Sequence, residues 1–243
     1  MRVAVLLSGR IVTRDCRDTT RTLRKMFGHL DTTYFVSINE DVHDRAFTEQ
    51  FTNDLNIEEE CINIEKTIEP DELRRYRKKS ETDYNRTYSM FYHNKKCFEL
   101  VEKYEIVHNR AFDILIKFRS DICNVRSKNV TFLNVEENVV YIPKRYDYGG
   151  INDHIAYGNK QSMRIYCSCA DNIKSMCRSD VVFHPETLLR EHLRRCNIEI
   201  ERFEFGYQIM PKTAVQNAKY DRSLGVNIAK RTFEKLKSRG CKV

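Results

Sequence analysis

Arg119 and Asp121 close the apolar run Phe112-Asp113-Ile114-Leu115-Ile116-Lys117-Phe118, and their types and spacing suggest chemistry most directly. An arginine offers a planar fork to phosphate or carboxylate. A carboxylate can hold a hard cation such as Mg2+ or Mn2+ when diphosphate oxygens complete the shell. Further along, Tyr146-Asp147-Tyr148-Gly149-Gly150-Ile151-Asn152-Asp153-His154 contains the only Gly-Gly of the chain, bracketed by two aspartates, an asparagine and a histidine. Glycine lets backbone and acid groups come close to a polar ligand. The two segments predict a site for a phosphorylated, hydroxyl-rich molecule.

Each of these residues also has a structural reading. Asp121 alone reads as a helix cap or half of a local ion pair. The strand before it shifts the balance, being too apolar for a sheet edge, so Asp121 is expected at the mouth of the sheet. That is where open α/β sheets bind ligands. Asp147 and Asp153, close to glycines, read equally well as turn aspartates bonded to their own backbone. Asn94 falls on the apolar stripe of a helix, where its amide must find a partner in neighbouring backbone or in a ligand.

The elements that carry these residues follow from periodicity. Arg2 to Leu7, Tyr34 to Ile38, Cys61 to Ile64, Phe112 to Phe118, Val139 to Pro143, Ile155 to Gly158 and Ile198 to Phe203 read as strands. Helices are expected at Thr19 to Leu30, His43 to Leu55, Tyr88 to Tyr104, Gln161 to Asn172 and Thr187 to Arg195, with an exposed basic stretch at Pro70 to Ser80. The alternation of strand, polar turn and helix predicts an α/β fold. Its form is one Rossmann-like domain with a mostly parallel central sheet flanked by helices. That domain is expected to span 1–215, with 216–243 as a basic helical tail packed on it or extending from it. In the tail Val226, Ala229, Phe233 and Leu236 share a face, while Lys230, Arg231, Lys235 and Lys237 lie elsewhere. Such a helix suits docking, with weak contact to a membrane surface as the alternative.

A chain of 243 residues accommodates one domain with a sizeable core. No apolar run approaches the ~20 residues that span a bilayer. The opening Arg2-Val3-Ala4-Val5-Leu6-Leu7 is too short for a signal segment and runs into Ser8-Gly9-Arg10, so a cytoplasmic protein starting at Met1 is expected. The odd count of 9 cysteines then reads as reduced thiols. Cys167-Ser168-Cys169 with Cys177 is a poor match to zinc spacing. The sequons Asn85-Arg86-Thr87 and Asn129-Val130-Thr131 carry no meaning without secretion. The formal charge of +7 favours anionic partners. Arginines concentrate at Arg10, Arg14, Arg17, Arg21 and Arg24, and at Arg74, Arg75 and Arg77. No basic block is interleaved with aromatics, so no specific nucleic acid is expected.

Three segments together resemble a family of small GT-A-type glycosyltransferases of large DNA viruses of the chlorovirus and mimivirus kind, with cousins among bacterial surface-polysaccharide enzymes. They are Val5-Leu6-Leu7-Ser8-Gly9-Arg10, the run ending in Arg119-Ser120-Asp121, and Asp147 through Gly158. His184-Pro185-Glu186-Thr187-Leu188-Leu189, followed by His192-Leu193, is similar to the family's later helix, and the resemblance covers most of 1–210. It implies a GT-A-like fold, a nucleotide-sugar donor, Mn2+ or Mg2+, and transfer to an acceptor hydroxyl on a glycan, glycoprotein or polysaccharide. For a viral protein the host cytoplasm would be the location. The resemblance puts Ser8, Gly9 and Arg10 near the nucleotide, with Asn39 a further candidate; Arg119, by its fork, and Asn94, by its amide, are candidate donor contacts on their own chemistry. Asp121 matches the final aspartate of a metal-binding DxD motif. Arg119 stands where the first aspartate would be, and an arginine can itself neutralise a diphosphate. Asp153 is the candidate acceptor-side base of an inverting transfer, with Asp147 next. His184 reads as a metal or phosphate ligand or as a helix flank, and Glu186 as a first-turn acid complementing the helix dipole.

Two rival classes keep their own signatures. A nucleotidyltransferase would use a similar sheet and metal but usually wants a more glycine-rich loop than Ser8-Gly9-Arg10. A nucleic-acid-binding protein would bind with steep salt dependence and be indifferent to Asp121 and Asp153. A sugar-binding relative without turnover would keep nucleotide binding alone.

Overall fold

The computed structural model describes residues 1–9, 17–40, 45–68, 70–73, 76, 84–123, 125–126 and 135–209. The expectations for Arg10, for Arg74, Arg75 and Arg77, and for the basic tail with its boundary at 215/216 lie outside these residues.

In chain order the elements are β1 (Arg2–Ser8), α1 (Arg17–Phe27), β2 (Asp31–Asn39), α2 (Arg45–Asp54), a 3-10 turn (Glu59–Cys61), β3 (Ile62–Glu65) and α3 (Tyr84–His108). They continue with β4 (Ile114–Arg119), β5 (Ile122–Cys123), β6 (Val139–Pro143), β7 (Ile155–Gly158), α4 (Lys160–Cys167), α5 (Cys169–Arg178), α6 (Pro185–Arg195), β8 (Glu199–Phe203) and β9 (Gln208–Ile209). Seven strands form one sheet in the order β3-β2-β1-β4-β7-β6-β8, and β5 pairs with β9 in a small ribbon. All pairings in the large sheet are parallel except the two made by β7. The protein is thus an α/β fold with a mostly parallel sheet flanked by helices, as its periodicity predicts.

Strand alternation divides the core. Val3, Val5 and Leu7 of β1, with Ile114, Ile116 and Phe118 of β4, pack under Leu23 and Phe27 of α1 and Phe51 and Leu55 of α2. Ala4, Leu6, Phe35 and Leu115 face the other way, onto Phe91, Phe98, Val101 and Tyr104 of α3. Cys167, Cys169 and Cys177 are buried cysteines in this second core. Burial pushes the Cys167 thiol up to about 12, so it acts as a small apolar side chain. No helix among the described residues is long and apolar enough to cross a membrane.

Two helices differ from the periodicity reading. The stretch expected as one helix from Gln161 to Asn172 divides at Ser168, whose hydroxyl bonds back to the Ile165 carbonyl at 2.9 Å. That local bond competes with helix continuation. Helix α3 is longer than its apolar stripe and is followed by Asn109 in the left-handed region at φ 47°.

Candidate functional site

On the α3 face of the sheet, each central strand is apolar until its carboxyl end. The rows are Ala4, Leu6, Ser8 on β1, then Phe35, Ser37, Asn39 on β2, and Leu115, Lys117, Arg119 on β4. In the register of the sheet Ser8 lies beside Ser37 and beside Arg119. Strands β2 and β3 branch to one side of β1 and β4 to the other, so this polar edge coincides with a topological switch point, where such sheets open a crevice.

The left part of the edge is a closed polar network on α3. Ser8 donates its hydroxyl to Oδ1 of Asn94, so the amide on the apolar stripe is met by a side chain of β1. Asn39 donates to Ser89 at 3.0 Å. His93, which is fully buried, joins Ser37 at 2.8 Å through Nδ1 and Thr67 at 3.0 Å through Nε2. Burial holds His93 down to about 4, so its imidazole is neutral at pH 7. Gly9 continues β1 at φ +105° with open space where a Cβ would stand, and its N–H bonds to the Ser37 carbonyl at 3.1 Å.

To the right lies the charged part. Arg119 grips Asp121, with Nε 2.7 Å from Oδ1 and Nη2 3.1 Å from Oδ2, leaving the far edge of its guanidinium for other acceptors. Because β7 is antiparallel to β4, the segment that enters β7 stands at the carboxyl end of β4, and the Arg119 N–H bonds to the His154 carbonyl at 3.0 Å. This brings Asp153 to the edge. Lys117, with almost no exposed surface, donates from Nζ to the Asp153 carbonyl and lies 3.4 Å from that of His154. Burial lowers the Lys117 ammonium to about 8, and the Asp153 charge opposes that shift.

The imidazole of His154 lies between Tyr207 and Asp153. Asn152 donates from Nδ2 to the Tyr207 hydroxyl at 2.9 Å. Nδ1 of His154 is 2.8 Å from that same hydroxyl. Nε2 stands 3.4 Å from Oδ1 of Asp153. Burial holds His154 down to about 4, so the ring is neutral. Tyr207 sits at the foot of β9, and the β5–β9 ribbon places it there.

The Gly-Gly turn is a clamp. A Cβ on Gly150 would lie 2.0 Å from the backbone of Glu186, and the Ile151 N–H bonds to the Glu186 carbonyl at 3.1 Å. The close approach expected of this turn is made to the start of α6. It draws Glu186 into the neighbourhood of Asp153. Burial, reinforced by the Asp153 charge, raises the Glu186 carboxyl to about 7. His184 lies against it, Nδ1 to Oε2 3.1 Å. Asp147 closes the turn by accepting the Asn152 N–H at 2.9 Å and pairs with Arg202 at 2.7 Å and 3.0 Å.

Arg119, Asp121 and Asp153 are thus gathered together, with Ser8 alongside. Asn39 and Asn94 belong to the closed network, His184 to the start of α6, and Asp147 to an ion pair. Lys117 and Glu186 join the charged group without having been singled out. A lysine in an otherwise apolar strand was the available signal for the first. Glu186 reads as an ordinary helix-start acid until the clamp is seen.

The described residues do not fit a ready-made Mn2+ or Mg2+ site. Both Asp121 oxygens face Arg119, and no three among Asp121, Asp153, Glu186 and His184 bring their ligating atoms within 4.8 Å of one another. The one group among the described residues that does so is Glu58, Glu60 and His108. It is exposed and joins the turn before β3 to the last residue of α3.

No family model matches the chain, and no curated protein does. Among solved structures, one similar chain is a glycosyltransferase involved in the glycosylation of the major capsid of PBCV-1. It is 10% identical with TM-score 0.40 over 84% of this chain and 83% of that one. Another is the galactosyltransferase LgtC in complex with donor and acceptor sugar analogs, 9% identical with TM-score 0.48 over 83% of this chain and 73% of that one. Both likenesses are loose. The fold of this chain stands on its own strand order, and its site on its own side chains.

Proposed function

We propose that this chain is a GT-A-like glycosyltransferase that moves a sugar from a nucleotide-sugar donor to an acceptor hydroxyl. The observation that supports this most is the meeting of Arg119, Asp121, Asp153 and Glu186 at the carboxyl edge of the sheet, at its topological switch point. The free edge of the Arg119 guanidinium takes diphosphate oxygens, with Asp121 fixing its plane. The open backbone at Gly9 lies one strand away, beside the nucleotide. Asp153 takes the proton of the acceptor hydroxyl as that oxygen bonds to the anomeric carbon and the bond to the nucleoside diphosphate breaks. The acceptor is a glycan, on a glycoprotein or a polysaccharide.

The test is turnover. Wild-type protein incubated with UDP-, GDP- and dTDP-sugars and a panel of oligosaccharide acceptors is expected to release one nucleoside diphosphate. Asp153→Asn is expected to slow release by about 100-fold or more while keeping the thermal shift given by that nucleotide. If no sugar nucleotide is consumed and none shifts the melting curve, the reading is wrong.

A further inference from the structure

We infer that the junction between the Gly-Gly turn and the start of α6 is a sugar subsite, and that it selects a neutral sugar over a uronic one through Asp153 and Glu186. This deepens the transferase reading and rests on it. The side chains of Asp153 and Glu186 are 5% and 8% exposed, yet Oδ1 of Asp153 and Oε2 of Glu186 have no hydrogen-bond partner. Neither does Nδ1 of His184, whose contact with Oε2 lacks hydrogen-bond geometry. Buried acceptors left without donors are costly and point to a group that arrives later.

Four nearby backbone donors are already committed. The Gly150 N–H goes to the Asp147 carbonyl, Ile151 to the Glu186 carbonyl, Asn152 to the Asp147 carboxylate, and His154 to Oδ1 of Asn152. Lys117 spends its ammonium on main-chain carbonyls. The hydroxyl groups of a ligand can supply the missing donors. A cation fits poorly, since Lys117 and Arg119 already act electrostatically on Asp153 and no three ligating atoms converge. Hydroxyl groups fit, because each brings a donor without bringing charge. The His184 side chain, at 26% exposure, is the most exposed of the three. A uronate would set its carboxylate against that of Asp153 and supply no donor there.

The experiment compares affinities by titration calorimetry. Within the nucleotide series that the protein accepts, the neutral hexose nucleotide is measured against its parent nucleoside diphosphate, and UDP-glucuronate against UDP-glucose. The hexose nucleotide should bind roughly tenfold tighter than the parent, and UDP-glucuronate no tighter than UDP. Glu186→Gln and Asp153→Asn should each erase the hexose gain while leaving affinity for the parent nucleoside diphosphate within twofold. Equal binding of parent and hexose nucleotide in the wild type overturns the subsite while keeping the transferase reading, as does tightest binding of the glucuronate. Failure of every nucleotide to bind overturns both.

Discussion

A buried ammonium is expensive to keep, and Lys117 is held where water cannot reach it, facing two main-chain carbonyls at the entrance to β7. Its place in the fold gives it a measurable pH signature. The folded value is lowered from 10.5 to about 8, so between those two values the unfolded chain binds more protons than the folded one. Stability from this group therefore rises with pH across that window and is flat below it. Melting curves should show the wild type gaining on Lys117→Met between pH 7.5 and pH 10. Parallel curves would mean that Lys117 does not titrate in that window. In the sequence, Lys117 is visible as an anomaly inside an apolar run, but nothing local says where its ammonium goes. Glu186 is less legible still, since its surroundings come from a turn far away in sequence.

At the level of elements, most strands and helices follow directly from periodicity, because each face has a partner that demands apolar residues at fixed spacing. The division at Ser168 escaped it because a side-chain bond to Ile165 outweighs an apolar stripe that continues through it. The Gly-Gly turn was readable as a close approach, though what approaches is the first turn of α6. That contact gives a sharp test. Gly150→Ala must displace the Glu186 backbone, at a cost of about 1–3 kcal/mol and a fall in melting temperature of several degrees. Sugar-nucleotide affinity should fall with it. A variant as stable and as active as the wild type would show that the junction yields freely, contrary to a clamp that sets the position of Glu186.

Across the whole molecule, the site exists because one strand runs backwards. If β7 were parallel to β4, its amino end and Asp153 would lie at the far edge of the sheet from Arg119 and Asp121. Strand direction depends on which partner a strand finds, and residues 139–158 carry no local mark of it, so the pairing of these two segments was legible only as a shared chemistry. The proposed function requires a nucleoside diphosphate to meet Arg119 at this edge. Calorimetric titration of UDP, GDP and dTDP in EDTA, on the wild type and on Arg119→Asp, tests that most directly. One nucleotide should bind the wild type without a divalent cation, and Arg119→Asp should weaken it at least tenfold unless Mn2+ is supplied. Wild-type binding that appears only when Mn2+ is added, or no binding of any nucleotide, would contradict it.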